Sequence, residues 1–497
     1  MAAIFAAKVK KKLHAYLNLK TKINYQLLKI FMKEKGKVCL LIPDGIGIRN
    51  YLYSDILEQF GGDELVIWHV LPNEVIKLAS ELHNKQLAEI TLPPFIENSH
   101  QRILREAARF ARLHFTAKVD NNSSAFFHWM PKKKILSHKA FYAVVEGIGT
   151  WAAKNYQRIV NLENKYAASL RKTVAYKNAL QIIRQENIKT ILCTHQRSME
   201  SMPVMLAATD AGIKAIVAIF SWDNLPKATL FCRGNKYFVW SKYMKEEILK
   251  YYPEINENAV EITGTPQFDF YRKEDWIESK ETFYQRFNIP LNKKIICFSG
   301  DDTITSPFDD LFLQDTCNAV VKMDEAERPV ILFRGVPTES SERYQHVFKQ
   351  YPNIVIEAKP LWKRTEGSAW HLFYPTIEDL KLLVNICYHS CGVVNLGSTM
   401  GLDFAMFNKP TLYVKYNHNR KYPRWNMIDV YNLQHFKTLD GLDAVGWVND
   451  ESELLPMMRK LLQQPETIGT DKLKWRNRIT QDITDAGERI GALLNQD

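Results

Sequence analysis

The sequence predicts an α/β protein made of two doubly wound, mostly parallel sheets. Three observations lead there. Short apolar runs recur along the chain, each followed by small or polar residues and then by a helical stretch. The stretch 391–414, CGVVNLGSTMGLDFAMFNKPTLYV, reads as a complete strand–turn–helix–strand unit. A Pro-containing linker at 289–294 divides the 497 residues into two parts of a size that suits one domain each.

In the first part, 37–43 (KVCLLIP) is an apolar run after a basic segment and predicts a buried first strand. Asp44-Gly45-Ile46-Gly47 follows, then a helix to about 60. The glycines allow close backbone approach, although a lone G-x-G does not specify phosphate. Asp44 is either a turn cap or a base. A second strand is expected at 64–71, with His69 as a core histidine, and a mostly helical region at 73–184. Within it, 121–139 is a candidate acceptor-side insertion, and Lys132 to Lys134 reads as a solvated run. Strands follow at 187–194, 214–220, 236–240 and 260–263. His195 comes directly after the first of these. Loops after strand C-termini line the crevice of an open parallel sheet, so His195 is either a general base or a structural histidine at a strand end. Ser221-Trp222-Asp223-Asn224 follows the next strand, which makes Asp223 a further acid/base candidate.

In the second part, the strand at 294–298 ends in Ser299-Gly300-Asp301-Asp302. Backbone N–H groups at Ser299 and Gly300 are expected to approach a phosphate, and the adjacent aspartates are not expected to hold a metal. The strand at 329–333 leads into Arg334-Gly335-Val336-Pro337, where Arg334 is either a cation for an anionic ligand or half of a surface ion pair. Phe373, Tyr374 and Pro375 precede a helix at 377–386. In the 391–414 unit, Gly397, Ser398 and Thr399 form the turn. Ser398 or Thr399 is expected at the helix N-cap, where free N–H groups and the helix dipole favour an anion. Asp403 lies four residues past Thr399, on the same helix face one turn on.

Composition narrows the function classes. Hydrophobic residues make up 46% and charged residues 24%, a globular balance. The seven cysteines form no CxxC pairs, which fits reduced core thiols in a cytoplasmic protein. No stretch reaches the length of a membrane span. The formal net charge is +11, and ten lysines lie in the first 37 residues beside Leu, Ile, Phe and Tyr. Residues 1–36 therefore form a basic helical extension that either lies on an anionic membrane surface or packs, solvated, on the fold. Nucleic acid is not expected, because no basic residues interleave with the aromatics as in a stacking platform.

Four strings at strand ends carry a resemblance: GTPQFD at 264–269, R-x-x-P at 334–337, Y-P at 374–375 and GSTMGLD at 397–403. In this order the chain resembles GT-B fold glycosyltransferases of bacterial surface-polysaccharide biosynthesis and is similar to CDP-glycerol glycerophosphotransferase-like proteins. The resemblance covers roughly residues 37 to 490. After the basic amphipathic segment 1–36, it implies an acceptor-side Rossmann-like domain (37–288), a nucleotide-donor domain (289–475) facing it, and a last helix (476–497) crossing back. Asp403, seven residues before Pro410, would bind ribose hydroxyls. The position where many retaining members carry a Glu is Asn395 here, so the stereochemical outcome stays open. Phe373 or Tyr374 would stack on the nucleobase. Gly397 to Thr399 and Arg334 would face the donor phosphates, with Ser299 and Gly300 nearby. His195 first, then Asp44 or Asp223, would activate the acceptor hydroxyl.

The implied activity is metal-independent glycosyl transfer from a nucleotide-sugar co-substrate, with no further cofactor, to a surface glycan or lipid-linked acceptor. The alternatives are glycerophosphate transfer from CDP-glycerol, nucleotide-sugar epimerisation on the same fold, and a non-catalytic scaffold of a polysaccharide assembly complex. The implied location is cytoplasmic, with residues 1–36 as the candidate contact to the membrane's inner face.

Overall fold

Strands covered on both faces need no polar side, so the apolar runs become the interior of two parallel sheets. The computed structural model describes residues 36–131, 135–364, 373–418 and 425–496. The expectation for residues 1–36 therefore lies almost wholly outside the described residues, as does that for Lys132 to Lys134. The first sheet comprises β1 (Lys37–Ile42), β2 (Leu65–His69), β3 (Ala88–Thr91), β4 (Ile188–Cys193), β5 (Lys214–Ala218), β6 (Lys236–Val239) and β7 (Val260–Ile262). Its order is β3-β2-β1-β4-β5-β6-β7, and all its pairs are parallel. The edge strand β3 was not expected from the sequence. Three of its four residues are exposed, so it carries no apolar run.

Between β3 and β4 the chain makes a long helical excursion. It contains α1 (Ser99–Asp120), α2 (Leu136–Ala153), α3 (Tyr156–Leu170) and α4 (Val174–Gln185). A capping box starts α1: Asn98 accepts from the Gln101 N–H and Gln101 accepts from the Asn98 N–H. Arg112 ties two helices of the excursion to each other and to the segment 251–254 between β6 and β7. Its guanidinium donates to both Glu163 oxygens at 2.8 Å, to Glu254 at 2.8 Å and to the Tyr251 carbonyl at 3.1 Å.

The second sheet comprises β8 (Ile295–Ser299), β9 (Val330–Arg334), β10 (Val355–Glu357), β13 (Val393–Asn395), β14 (Thr411–Val414) and β15 (Gly446–Val448). Its order is β10-β9-β8-β13-β14-β15, again parallel throughout. A small antiparallel ribbon joins β11 (Trp362–Arg364) to β12 (Phe373–Pro375). Helix α5 (Ile377–His389) leads from the ribbon toward β13, and α6 (Met400–Met406) links β13 to β14.

In each sheet the strand order reverses once, between β1 and β4 and between β8 and β13. The connections on either side of a reversal run apart and leave a crevice beyond the strand C-termini. Asp44 and His195 follow the first pair of strands. Ser299 to Asp302 and Leu396 to Thr399 follow the second.

The two halves touch at several places. Gly45 lies against the Phe373 carbonyl, where a Cβ would have no room. The final helix α7 (Ala486–Asn495) packs on residues 55–59 of the first half. The Asp269 carboxylate accepts the Ala486 and Gly487 N–H groups at 3.1 and 2.7 Å. Asn495 donates to the Gln59 carbonyl at 2.6 Å. Among the described residues, no helix is long and apolar enough to cross a membrane.

Candidate active site

The crevice of the first sheet is built on a carboxylate that does two jobs. Asp44 Oδ1 accepts from the Ile46 and Gly47 N–H groups, both at 2.9 Å, and so caps the turn after β1. Its Oδ2 lies 2.6 Å from His195 Nδ1. Cap and base were alternatives in the sequence. The structure makes Asp44 the cap and the orienting partner of His195. Arg197 Nε donates to His195 Nε2 at 3.0 Å, which leaves the ring proton on Nδ1, donated to Asp44. The Phe220 ring stacks on the imidazole with centroids 4.1 Å apart.

Burial pushes the His195 pKa below its ordinary value, and the Asp44 charge only partly offsets this. The imidazole is thus neutral at neutral pH, with a lone pair on Nε2. For Asp44, burial opposes ionisation, but the charge and hydrogen bond of His195 outweigh it and hold the carboxyl below its usual range. Asp223, the third acid/base candidate, is an ion-paired carboxylate bound to Lys227. Burial opposes its ionisation too, but Lys227 and His435 keep its pKa well down.

The crevice of the second sheet opens on a pocket of about 360 Å³ with walls from both halves. Arg49, Phe220 and Trp222 come from the first half. Arg334, Phe373, Ser398, Thr399 and Asp403 come from the second, with Ser299 and Gly300 beside them. Asp403 is 4% exposed. Its Oδ1 accepts from the Tyr271 hydroxyl at 2.8 Å, so the first half supplies a partner for it. Burial raises its pKa to about 6, against the Tyr271 hydrogen bond and the Arg49 charge.

Several expected donors are already in use. The Gly397 and Ser398 N–H groups both donate to Asn395 Oδ1 at 3.1 Å. The Gly300 N–H donates to the Arg334 carbonyl at 2.8 Å. The backbone anion site expected at Gly397, Ser398 and Gly300 is therefore corrected, because internal acceptors take those protons. No side chain caps α6 in the expected way. Thr399 holds the cap position without a side-chain bond, and Ser398 Oγ accepts from the Met400 N–H at 3.4 Å. Ser398 and Thr399 instead line the pocket.

Arg334 already has an internal partner. It is a buried side chain whose Nη2 donates to both Asp379 oxygens, at 2.9 and 2.8 Å. The Leu361 N–H and the Trp362 indole complete the shell of Asp379 at 2.6 and 2.8 Å. Among the described residues, the buried Nη1 of Arg334 has no partner. Arg49 also lines this pocket, and among the described residues it makes no ion pair with a carboxylate. Its Nε donates to Asn50 Oδ1 and its Nη2 to Gln267 Oε1, both at 2.8 Å and both neutral acceptors.

Of the two aromatic candidates for a nucleobase, Phe373 lines the pocket and Tyr374 does not. Tyr374 is 1% exposed, and its hydroxyl donates to Glu74 of the first half at 2.8 Å. Alternation along β12 turns the two rings to opposite sides.

A wider hollow of about 970 Å³ adjoins this pocket. Asp44, His195, Arg197 and Asp223 line it. Trp222, Asp301, Thr338, Ser398 and Thr399 line both spaces, so they form one continuous cleft. Asp302 accepts from the Ile304 and Thr305 N–H groups at 2.9 Å and shapes a turn. Burial and the neighbouring Asp302 and Asp309 raise the Asp301 pKa well above normal.

Arg49, Asp379 and Tyr271 escaped the sequence reading. Thr376-x-x-Asp379 at the start of α5 is a capping signature that singles out Asp379, and Thr376 Oγ1 does accept its N–H at 3.2 Å. Arg49 and Tyr271 carried no local signal.

Comparison with known proteins bears on the fold. No family model and no curated protein sequence matches the chain. Solved structures do. UDP-GlcNAc 2-epimerase from Neisseria meningitidis, bound to UDP-GlcNAc, aligns with a TM-score of 0.51 at 12% identity, over 93% of this chain and 100% of that one. The UDP-GlcNAc 2-epimerase from Methanocaldococcus jannaschii aligns with a TM-score of 0.50 at 10% identity, over 92% and 99%. The fold is GT-B. At such identities the likeness speaks for the GT-B architecture alone, with its two facing Rossmann-like halves.

Proposed function

We propose that this GT-B protein is an enzyme that transfers a sugar from a nucleotide-activated donor to a glycan or lipid-linked acceptor. One observation carries the reading: a single cleft joins a pocket containing Arg49, Arg334 and Asp403 to a wider hollow containing the Asp44–His195 pair. The nucleotide would occupy the narrow part, with Phe373 against the base and Asp403 toward the ribose. Arg49, Arg334 Nη1 and the hydroxyls of Ser398 and Thr399 would meet the charge that develops on the leaving phosphate. The acceptor hydroxyl would give its proton to His195 Nε2 as its oxygen attacks the anomeric carbon and the sugar–phosphate bond breaks. Arg197 must then release that nitrogen.

Nucleotide-sugar epimerisation is the second reading. The two solved structures described above are UDP-GlcNAc 2-epimerases matched over nearly their whole length. The room on the His195 side favours transfer, since an epimerase needs no second substrate there. Incubation with labelled UDP-, GDP-, CDP- and CMP-sugars, with and without membrane lipid and glycan acceptors, tests both. Transfer requires label in the acceptor and free nucleotide. A new nucleotide sugar formed without acceptor would replace this reading with epimerisation.

A further inference from the structure

Helix α2 carries an apolar face that no described residue covers. Leu136 is 81% exposed, Val144 51% and Trp151 53%. With Ala140 and Gly147, also exposed, they are spaced four, four, three and four residues apart, which is one stripe along the helix. The opposite side of the same helix holds Tyr142, Val145, Gly149 and Ala152, buried against the fold. The helix therefore carries an apolar stripe on its outer side as well as on its inner one. Ile135 and Met130, 55% and 52% exposed, extend the stripe past the helix start. Met130 also lines the wide hollow of the cleft, so the apolar surface begins at the cleft mouth.

Charge decides what fits this face. Across the described residues 135–158 the sequence holds three Lys and Arg residues (Lys139, Lys154 and Arg158) and one acidic residue, Glu146. Glu146 is turned to the fold, where it accepts from the Trp129 indole at 2.8 Å. The Arg158 guanidinium lies 4.5 Å from the Trp151 ring centroid, placing a cation beside the aromatic at the far end of the stripe. Apolar side chains, an exposed Trp and flanking cations, with the one acid of the described segment turned inward, are the makings of a helix that lies in the headgroup region of an anionic bilayer.

We infer that α2 is a docking surface for an anionic phospholipid membrane, seating the cleft mouth at the bilayer where a lipid-linked acceptor would lie. The membrane contact rests on the surface alone. Only its link to the acceptor rests on the function proposed above. The surface is separate from residues 1–36.

Flotation of the full-length chain with vesicles of phosphatidylglycerol and phosphatidylcholine, and with phosphatidylcholine alone, tests it. Val144→Glu/Trp151→Glu changes only exposed side chains and is paired with a thermal melt to show that the fold persists. The expected result is binding to the anionic vesicles that weakens with salt, and a loss of at least about tenfold in the double variant. Equal binding by wild type and variant overturns the proposal, as does equal binding of wild type to both vesicle types. Sedimentation without lipid that shows a dimer lost in the variant also overturns it, since the face would then belong to a second copy. Val144→Leu/Trp151→Phe should restore binding. Nucleotide binding measured in solution stays unchanged in every variant, so failure here leaves the proposed activity standing.

Discussion

The Tyr271 hydroxyl donates to Asp403 Oδ1 at 2.8 Å, so a residue of the first half of the chain completes the floor of a pocket in the second. Arg49 and Gln267, which reach the same pocket, also come from the first half. The pocket proposed for the donor is thus shared between the halves, and Tyr271 holds the Asp403 carboxylate in place.

Asp403→Asn is expected to weaken binding of the preferred nucleotide by about 1–3 kcal/mol with the fold intact, because the amide offers one acceptor oxygen where the carboxylate offers two. Calorimetric titration gives the number. Unchanged affinity in a folded variant would remove Asp403 from the nucleotide site. Tyr271→Phe should alter affinity less, since it removes a partner of Asp403 and leaves the carboxylate.

The same carboxyl predicts a pH effect on stability. Its folded pKa, about 6, lies above the ordinary value of 3.8. Between these values the folded state keeps a proton that the unfolded chain has lost. Its contribution is therefore complete below the unfolded pKa and is lost as pH rises through about 6. Asp403→Asn does not titrate. Relative to wild type, the variant should gain about 1–3 kcal/mol between pH 4 and pH 7, by urea denaturation at the two pH values. A constant difference would show that Asp403 ionises normally.

His195→Asn is expected to lower turnover by roughly 10²- to 10⁴-fold with little change in donor affinity. Asp44→Asn should also slow turnover, because the amide cannot accept the Nδ1 proton with a full charge. Burial holds the His195 pKa below its ordinary value, so the acid limb of the rate profile should fall below about pH 6.5 in the wild type. Loss of activity in Asp223→Asn with His195→Asn still active would move the base to Asp223.

The sheets were legible because a strand buried on both faces is a run of apolar residues, as in LVIWH and VILFR. The crevice loops were legible for the same reason, since they begin where such runs end. Pairings were not. Asp44 and His195 are 151 residues apart, and the strand order that brings them together is a property of the whole sheet. The separation of 45 positions from Arg334 to Asp379 likewise hid an internal partner for an apparent ligand cation. The N–H groups at Gly397 and Ser398 looked available because nothing in the local pattern told that Asn395 would fold back onto them.

Gly45 rests on the Phe373 carbonyl with no space for a methyl group. The gap between the halves is thus set at this point by a missing carbon, and any side chain here acts as a wedge. Gly45→Ala should prop the cleft apart and raise the radius of gyration seen by small-angle scattering. It should weaken nucleotide binding while leaving each sheet's own packing untouched. An unchanged radius with normal nucleotide affinity would show that the β12 ribbon gives way instead. Gly45 works as the spacer that sets the width of the cleft.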